Sequence, residues 1–235
     1  MPKLRLDKII ADSGLYSRSE AAAIINSGRV SVGGRVACSV SEKCDPETEC
    51  VAIDGVKLEY RRFRYIMMNK PRGYVSSTAD KREKTVLELL DDKYRKLDLF
   101  PAGRLDKDAE GLLLLTNDGR LAHIIISPSS KIYKRYFVQI DDEISNADIT
   151  AFANGIELGD GTKCRPAILE NASGGAYVTI HEGKYHQVKR MMSAIGKPVK
   201  YLKRIAIGGL VLDDNLKPGE FLEITDEISL ILCDK

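Results

Sequence analysis

The fold is decided by a charged loop, Gly103-Arg104-Leu105-Asp106-Lys107-Asp108-Ala109-Glu110-Gly111, that runs directly into Leu112-Leu113-Leu114-Leu115 and Thr116. Four leucines in a row are usually buried, either as a core strand or at the start of a helix. Asn117-Asp118-Gly119 predicts a turn after them. The charged loop therefore lies at the rim of a core element, where a rigid scaffold holds reactive side chains within reach of a ligand.

Composition indicates an ordinary globular protein. The 235 residues are enough for one large domain or two modest ones, and 43% hydrophobic with 30% charged residues is typical of soluble proteins. No apolar run approaches the roughly 18 residues of a membrane span, and no basic-then-apolar leader is present. We therefore expect a cytoplasmic protein without a membrane partner.

The cysteines predict neither a disulfide framework nor a metal centre. There are five, an odd number at irregular spacing: Cys38, Cys44, Cys50, Cys164 and Cys233. The spacing of the first three matches no common zinc pattern, so a zinc site is the less favoured alternative. Free thiols in a reducing compartment are the expectation.

Positive charge is concentrated at the N-terminus. Residues 1–36 carry six basic and three acidic side chains, while the whole chain has a net charge of only +2. The basic ones are Lys3, Arg5, Lys8, Arg18, Arg29 and Arg35. This asymmetry indicates a polyanion contact in the N-terminal region.

The N-terminal region also has clear local signals. Asp7 is expected in the first turn of a short helix, and Ser17 with Glu20 predicts a capping box at the start of a second one. Residues 29–36 alternate around Gly33-Gly34, which predicts a hairpin. Residues 41–64 are interpreted as the end of this module and a linker.

The rest of the chain is richer in strands than in helices. A turn is expected at residues 70–73, because Pro71 and Gly73 favour it. The predicted strands are residues 65–69, 133–140, 176–180, 205–212 and 221–224, and the predicted helices are residues 85–90, 146–154 and 186–195. Without a strict βαβ alternation, this pattern favours an α+β fold on a mixed, largely antiparallel sheet.

Four ordered segments carry a resemblance to a known family. The charged loop and its leucines resemble the catalytic signature of the RsuA family of bacterial ribosomal pseudouridine synthases. The other matching segments are Met68 to Tyr74, Lys134-Arg135-Tyr136 and Glu182 to Met192. Four motifs in the same order at compatible spacing are much harder to produce by chance than one short loop.

The resemblance implies two domains. Residues 1–60 would form a small S4 RNA-binding domain of α-L type, and residues 61–235 a catalytic domain of pseudouridine synthase type. The residues implied to face RNA phosphates are Arg5, Lys8, Ser17, Arg18 and Arg29. The alternative is that these are solvated charges on a small domain.

The resemblance implies that Asp106 is the catalytic residue in converting uridine to pseudouridine, without a cofactor or metal. Its carboxylate would attack C1′, stabilise positive charge there, or take a sugar proton, and the sequence does not decide among these routes. Two other interpretations of Asp106 are a surface helix cap and a magnesium site shared with Asp108 and Glu110.

Other site residues follow from the same resemblance. Arg104 would contact the flipped-out substrate or fill the gap that it leaves. Tyr136 would stack on the uracil and help to move the C5 proton, and Lys189 would pair with Asp106 and keep it ionised. His186 and Gln187 are expected to shape a helix start, and Lys70 to reach the pocket or the RNA backbone. Asp108 and Glu110 inherit no role.

The expected partner is ribosomal RNA, either free or in an assembling small subunit, and the expected protein is a monomer. The motif around His186 favours a 16S uridine, with a 23S uridine as the alternative. A non-catalytic RNA-binding assembly factor is a rival of another class. A glycoside hydrolase is the third, but it needs two carboxylates about 5 Å or more apart across a sugar.

Overall fold

The computed structural model describes residues 3–232. The chain divides into two compact units. The N-terminal unit comprises the residues up to Arg64 together with Leu90–Leu99, and the C-terminal unit comprises Tyr65–Leu89 and the chain from Phe100 onward. The membership of Leu90–Leu99 in the N-terminal unit was not part of the sequence prediction.

The N-terminal unit combines short helices with short strands. Its helices are α1 (Leu6–Ala11), α2 (Arg18–Asn26) and α3 (Asp92–Arg95). Its strands are β1 (Leu4–Arg5), β2 (Val30–Val32), β3 (Arg35–Val36), β4 (Lys43–Cys44), β5 (Val51–Ile53) and β6 (Val56–Lys57). Strands β3-β2-β5-β6 form an antiparallel sheet in that order, and β1 pairs with β4.

Local signals specify most of this unit. The predicted capping box is confirmed, because Ser17 accepts a hydrogen bond from Glu20 N while Glu20 accepts one from Ser17 N. Asp7 lies in the first turn of α1, and Gly33 and Gly34 both have positive φ in the β2–β3 turn. Residues 41–64 were interpreted as the end of this module together with a linker, and the strands β4, β5 and β6 occupy residues 43–57 of that range.

The C-terminal unit is built on one large sheet. Its strands are β7 (Tyr65–Lys70), β8 (Phe100–Pro101), β9 (Glu110–Thr116), β10 (Lys134–Gln139), β11 (Ile168–Ala172), β12 (Gly175–Ile180), β13 (Tyr201–Ile207), β14 (Leu210–Val211) and β15 (Phe221–Glu223). Its helices are α4 (Gly119–Ile126), α5 (Asn146–Asn154) and α6 (Gln187–Ala194). Three 3₁₀ helices span Val86–Leu89, Pro128–Ser130 and Asp226–Leu232.

The sheet is mixed and largely antiparallel. Its order is β11-β12-β10-β13-β9-β7-β15, with β14 on β13 and β8 on β9. The pairing of β9 with β13 is parallel, with Glu110 opposite Lys203 and Gly111 opposite Arg204. All four leucines of residues 112–115 are fully buried on β9. The charged loop thus leads into the centre of the sheet, and the predicted α+β class is confirmed.

Two details of the sequence prediction were wrong in this unit. Residues 117–119 do not form a simple turn, because the Asp118 carboxylate accepts hydrogen bonds from the backbone of Arg120 and Leu121 and caps α4. Residues 205–212 are not one strand, since Gly208-Gly209 lies between β13 and β14. The helix predicted at residues 85–90 is present as a short 3₁₀ helix, Val86–Leu89.

Candidate active site

Lys70 anchors the backbone of the charged loop through hydrogen bonds to its carbonyl groups. Its side chain is fully buried at the end of β7, and its ammonium donates to the carbonyl oxygens of Pro71 at 3.0 Å, Asp106 at 3.0 Å and Ala109 at 2.9 Å. Burial lowers the pKa of Lys70 to about 8. Lys70 therefore binds the loop carbonyls and fixes the backbone at Asp106, whereas the sequence analysis expected it to reach a pocket or RNA.

Two more contacts fix the same backbone. The Ser76 hydroxyl donates to Leu105 O and accepts from Leu105 N, both at 3.0 Å. The Gly73 N–H donates to Lys107 O at 2.8 Å. Because the residues on either side of Asp106 are anchored, its side chain has a defined direction.

Arg204 supports the loop from the neighbouring strand. It is buried on β13, where Nε donates to Leu112 O at 2.8 Å and Nη1 to Arg104 O at 3.4 Å. Within the described part of the chain, its Nη2 has no hydrogen-bond partner. The backbones approach closely here, because a Cβ on Gly111 would lie 2.8 Å from Arg204 N and overlap Arg204 O. Sequence reasoning missed Arg204, since a single arginine in a strand pattern gives no signal of its own.

Two basic side chains flank the Asp106 carboxylate. Lys189 Nζ lies 3.3 Å from its Oδ2, and His186 Nε2 lies 3.6 Å from its Oδ1. The Asp106 side chain is 27% exposed, so it is reachable from solvent while partly screened from it. The predicted approach of Lys189 to Asp106 is present, and His186 does more than shape the helix start.

Asp108 shares the same lysine. Its Oδ1 lies 2.5 Å from Lys189 Nζ, and that hydrogen bond holds the pKa of the Asp108 carboxyl below its usual range. The motif implied no role for Asp108, but the Asp106 and Asp108 carboxylates both lie within 3.3 Å of a single ammonium group.

The start of α6 positions both basic side chains. Glu182 is buried and accepts hydrogen bonds from Arg165 N, Lys184 Nζ and Gln187 Nε2, while Gln187 Oε1 accepts from Lys184 N. Desolvation alone would raise the pKa of Glu182, but these hydrogen bonds outweigh it and hold the pKa below its usual range. The loop before α6 is thereby tied together.

His186 takes an unusual backbone conformation at this point. It is the N-cap residue of α6 with φ 47° and ψ 36°, and its side chain makes no capping hydrogen bond. A left-handed conformation is strained for a residue with a Cβ. In this conformation the imidazole Nε2 lies 3.6 Å from Oδ1 of Asp106.

An open cleft of about 470 Å³ lies over these residues. It is lined by Arg72, Gly73, Asp106, Lys107, Asp108 and His186. This volume falls within the range of small-molecule sites and suits a nucleotide. The cleft presents one partly buried carboxylate with basic neighbours to whatever enters.

Arg104 and Tyr136 have other neighbours. Tyr136 is buried on β10 directly opposite Arg204 on β13, and the Arg104 side chain is exposed while its carbonyl accepts from Arg204. Among residues 3–232 no hydrogen bond or ion pair joins either side chain to Asp106. Arg204 thus links the strand of Tyr136 to the charged loop.

The carboxylates do not assemble a metal site. Glu110 accepts from Tyr201 OH at 2.8 Å and pairs with Arg72 at 3.3 Å, away from the Lys189 pair. Across the described range no group of three His, Cys, Asp or Glu side chains is placed to hold a metal ion. Cys38, Cys44, Cys50 and Cys164 are free thiols, and Cys233 lies outside the described residues.

Comparison with known proteins decides the family. Residues 64–194 match the family model described as RNA pseudouridylate synthase, and residues 4–50 match the S4 domain model. The chain belongs to the RNA pseudouridylate synthase family. It is an isomerase with an N-terminal S4 domain, and the resemblance to the RsuA family is confirmed.

Several relatives of this family cover almost the whole chain. The uncharacterized RNA pseudouridine synthase YtzG of Bacillus subtilis is 47% identical, with 95% of this chain and 96% of that protein covered. Ribosomal small subunit pseudouridine synthase A of Vibrio cholerae is 44% identical over 95% of this chain and 97% of that one. A crystal structure of a pseudouridylate synthase is 37% identical over 97% of this chain and 99% of that one, with a TM-score of 0.68.

The pseudouridylate synthase segment contains every candidate catalytic residue, and the S4 segment every candidate phosphate contact. In the S4 segment most of these contacts are paired within the unit: Arg5 with Asp7, Lys8 with Asp12 and Arg29 with Asp54. The Ser17 hydroxyl caps α2. Exposed ion pairs of this kind are weak.

No helix in residues 3–232 is long and apolar enough to cross a membrane.

Proposed function

We propose that this pseudouridine synthase isomerises a uridine of 16S ribosomal RNA, with Asp106 as the catalytic carboxylate. The observation that carries the catalytic assignment is the Asp106 carboxylate between Lys189, at 3.3 Å, and His186, at 3.6 Å, in the wall of the cleft. The substrate assignment draws on relatives named ribosomal small subunit pseudouridine synthase A, such as that of Escherichia coli at 41% identity over 95% of this chain.

The isomerisation needs an anionic group beside the sugar. The N1–C1′ bond breaks, the uracil turns, C5 bonds to C1′, and the C5 proton is released while N1 gains one, so product and substrate have the same atoms. Asp106 acts as a nucleophile on C1′ or as the base that removes a sugar proton. In both routes the Lys189 ammonium, 3.3 Å from the carboxylate, counters its negative charge.

Arg104 and Tyr136 complete the proposed site. The exposed Arg104 guanidinium contacts the extruded nucleotide or fills the space that it leaves, which an enzyme acting on a stacked base must arrange. Tyr136 stacks on the uracil and assists the C5 proton transfer. Arg204 supports this pair, because it lies opposite Tyr136 and donates to the Arg104 carbonyl.

The S4 domain supplies affinity in this proposal. Arg5, Lys8, Ser17, Arg18 and Arg29 contact phosphates, which position RNA without specifying sequence. Neutralising Arg18 together with Arg29 should weaken binding and flatten its salt dependence. Lys57→Ala, an exposed cation outside this set, is the matched control.

The test is tritium release from transcripts labelled at uridine C5. Wild-type protein should release tritium from one site of a 16S transcript and none from 23S RNA. Asp106→Asn should abolish release while binding RNA as tightly as wild type, and Asp108→Asn, changed in the same loop, should keep release within about tenfold of wild type. Tritium release from 23S RNA and not from 16S RNA would show that the substrate is a uridine of the large-subunit RNA. Binding without release by wild type would favour an assembly factor.

A further inference from the structure

Tyr185 is the most exposed of the large apolar side chains in the described part of the chain, at 76% of its surface. It directly precedes His186 in the loop that leads to α6. Tyr185 has no part in the site as described so far, which consists of the charged loop, the cleft and the Lys189 ion pairs. A single exposed aromatic residue is common on protein surfaces, so exposure alone assigns nothing.

The Tyr185 ring is held in a definite orientation. It is stacked on the His186 imidazole, with ring centroids 3.8 Å apart and planes inclined by 19°. Its carbonyl accepts a hydrogen bond from Arg190 Nη1 at 3.4 Å, which ties the residue to α6. One face of the ring is therefore covered by His186, and its large exposed area leaves the other available.

The position of this stack relates it to the cleft. His186 lines the cleft and lies 3.6 Å from Asp106, whereas Tyr185 is outside the lining. A base placed on Tyr185 would thus lie at the rim of the cleft, beside the nucleotide that occupies it. Extruding the target uridine also unstacks its neighbours, and an aromatic side chain can replace the lost stacking partner.

We infer that Tyr185, supported by His186, is a stacking platform for the nucleobase that flanks the target uridine in bound RNA. This inference rests on the proposed function. Stacking on a tyrosine accepts any base, because every base has a π-face, so the platform supplies affinity and positioning with little sequence preference. His186 then has two contacts, with the carboxylate of Asp106 and with the ring of Tyr185.

The absence of tryptophan from the chain allows a direct test. Tyr185→Trp in an Asp106→Asn background carries a single tryptophan and performs no turnover. Its fluorescence should fall by more than half when the 16S transcript binds, with binding measured independently by filter retention. Val211→Trp in the same background, an exposed site on β14 that does not line the cleft, should show no quenching. Binding without quenching at position 185 would overturn the platform.

Substitutions separate stacking from simple packing. Tyr185→Phe should keep wild-type affinity for RNA, while Tyr185→Leu and Tyr185→Ala should both weaken it by about 5- to 100-fold. Equal affinity of the leucine and phenylalanine variants would contradict stacking. After the target uridine is mapped, a stem-loop RNA that lacks the uracil base at that position should still quench the fluorescence of Tyr185→Trp. Loss of quenching would mean that the target uracil itself stacks on the ring at position 185.

The two proposals fail in distinguishable ways. Wild-type protein should release tritium from the 16S transcript. Release by wild type, together with RNA binding but no fluorescence quenching by Tyr185→Trp in the Asp106→Asn background, would contradict the platform and leave the proposed function standing. Failure of wild-type protein to isomerise any ribosomal transcript would remove the function, and the platform with it.

Discussion

Lys189 forms its shorter ion pair, at 2.5 Å, with Asp108 and lies 3.3 Å from Asp106. The largely exposed Asp108 carboxylate therefore holds the ammonium group at the edge of the charged loop. This contact leaves the Lys189 ammonium 3.3 Å from Oδ2 of Asp106. Because the Asp108 side chain is largely exposed, this ion pair is weak, and Asp108→Asn should change turnover little.

Replacing Lys189 should remove the charge that both carboxylates share. Lys189→Met should lower turnover by about 100-fold or more, and Lys189→Arg should recover most of it because the charge is kept. The methionine variant should also raise the pKa of Asp108 back into its usual range, which carboxyl NMR titration measures. Lys200→Met, at an exposed pair with Asp141, is the control. Wild-type turnover by Lys189→Met would contradict the assignment.

Lys70 should make stability depend on pH in the alkaline range. Its pKa is lowered to about 8 from the ordinary 10.5, so between these values the unfolded chain holds more protons than the folded one. The free energy of unfolding should therefore rise with pH across this window. Urea unfolding at several pH values should show the rise in wild type and a smaller one in Lys70→Met. Because the variant also frees the loop carbonyls, its turnover should fall at every pH.

Lys134 gives the control for that experiment. It is buried as well, and burial lowers its pKa to about 8, but it donates to Ile132 O and, among the described residues, makes no hydrogen bond or ion pair with the charged loop. Lys134→Met should alter the pH dependence of stability in the same direction with a smaller effect on turnover. Equal losses of turnover in the two variants would argue against a specific role for Lys70.

Glu182 should stabilise the fold through its charge. Glu182→Gln should cost about 2–4 kcal/mol of unfolding free energy at neutral pH, because it weakens a buried hydrogen-bonded network. The folded-state pKa lies below the ordinary 4.5, so this stabilisation is present above that value and is lost as pH falls through the folded value. The difference between wild type and variant should therefore shrink in acid.

Glu170→Gln is the matched control for Glu182. Its carboxylate pairs with Arg135 at 3.1 Å on the exposed surface, so the change should cost no more than about 0.5 kcal/mol. Urea unfolding of the two variants at pH 7 and pH 4 gives the comparison. A Glu182 variant as stable as the Glu170 variant would show that the network does not hold the loop before α6.

Gly111 should tolerate no side chain. Its φ is 102° and an added Cβ would overlap the backbone of Arg204, so Gly111→Ala should cost more than about 3 kcal/mol or prevent folding. Gly219→Ala shares the positive φ, at 95°, but has open space around it, and it should cost about 1–2 kcal/mol. Thermal unfolding of both variants separates the overlap from conformational strain, and similar melting temperatures would refute the close approach.

Local chemistry explains what the sequence could predict. The capping box of Ser17 and Glu20, the Gly33-Gly34 turn and helix α5 depend on neighbouring residues, and all three are present. The four buried leucines similarly mark the centre of a sheet. The approach of Lys189 to Asp106 was predicted from the motif around residue 189, because the resemblance implies a basic residue at this position that pairs with the aspartate.

The missed features depend on contacts between distant parts of the chain. Strands β5 and β6 are too short for a periodic signal and exist because β2 pairs with β5. Arg204 and Lys70 contact the charged loop from strands far away in sequence, so neither role is visible in a local pattern. The left-handed conformation of His186 likewise depends on tertiary packing.

The most direct test of the central claim is a map of pseudouridine in ribosomal RNA. The map should compare cells that lack this protein with the same cells supplied with wild type, with Asp106→Asn or with Asp108→Asn. We expect one 16S site to be missing without the protein and with Asp106→Asn, and to return with wild type and with Asp108→Asn. Return of that site with Asp106→Asn, or the loss of no site without the protein, would contradict the account.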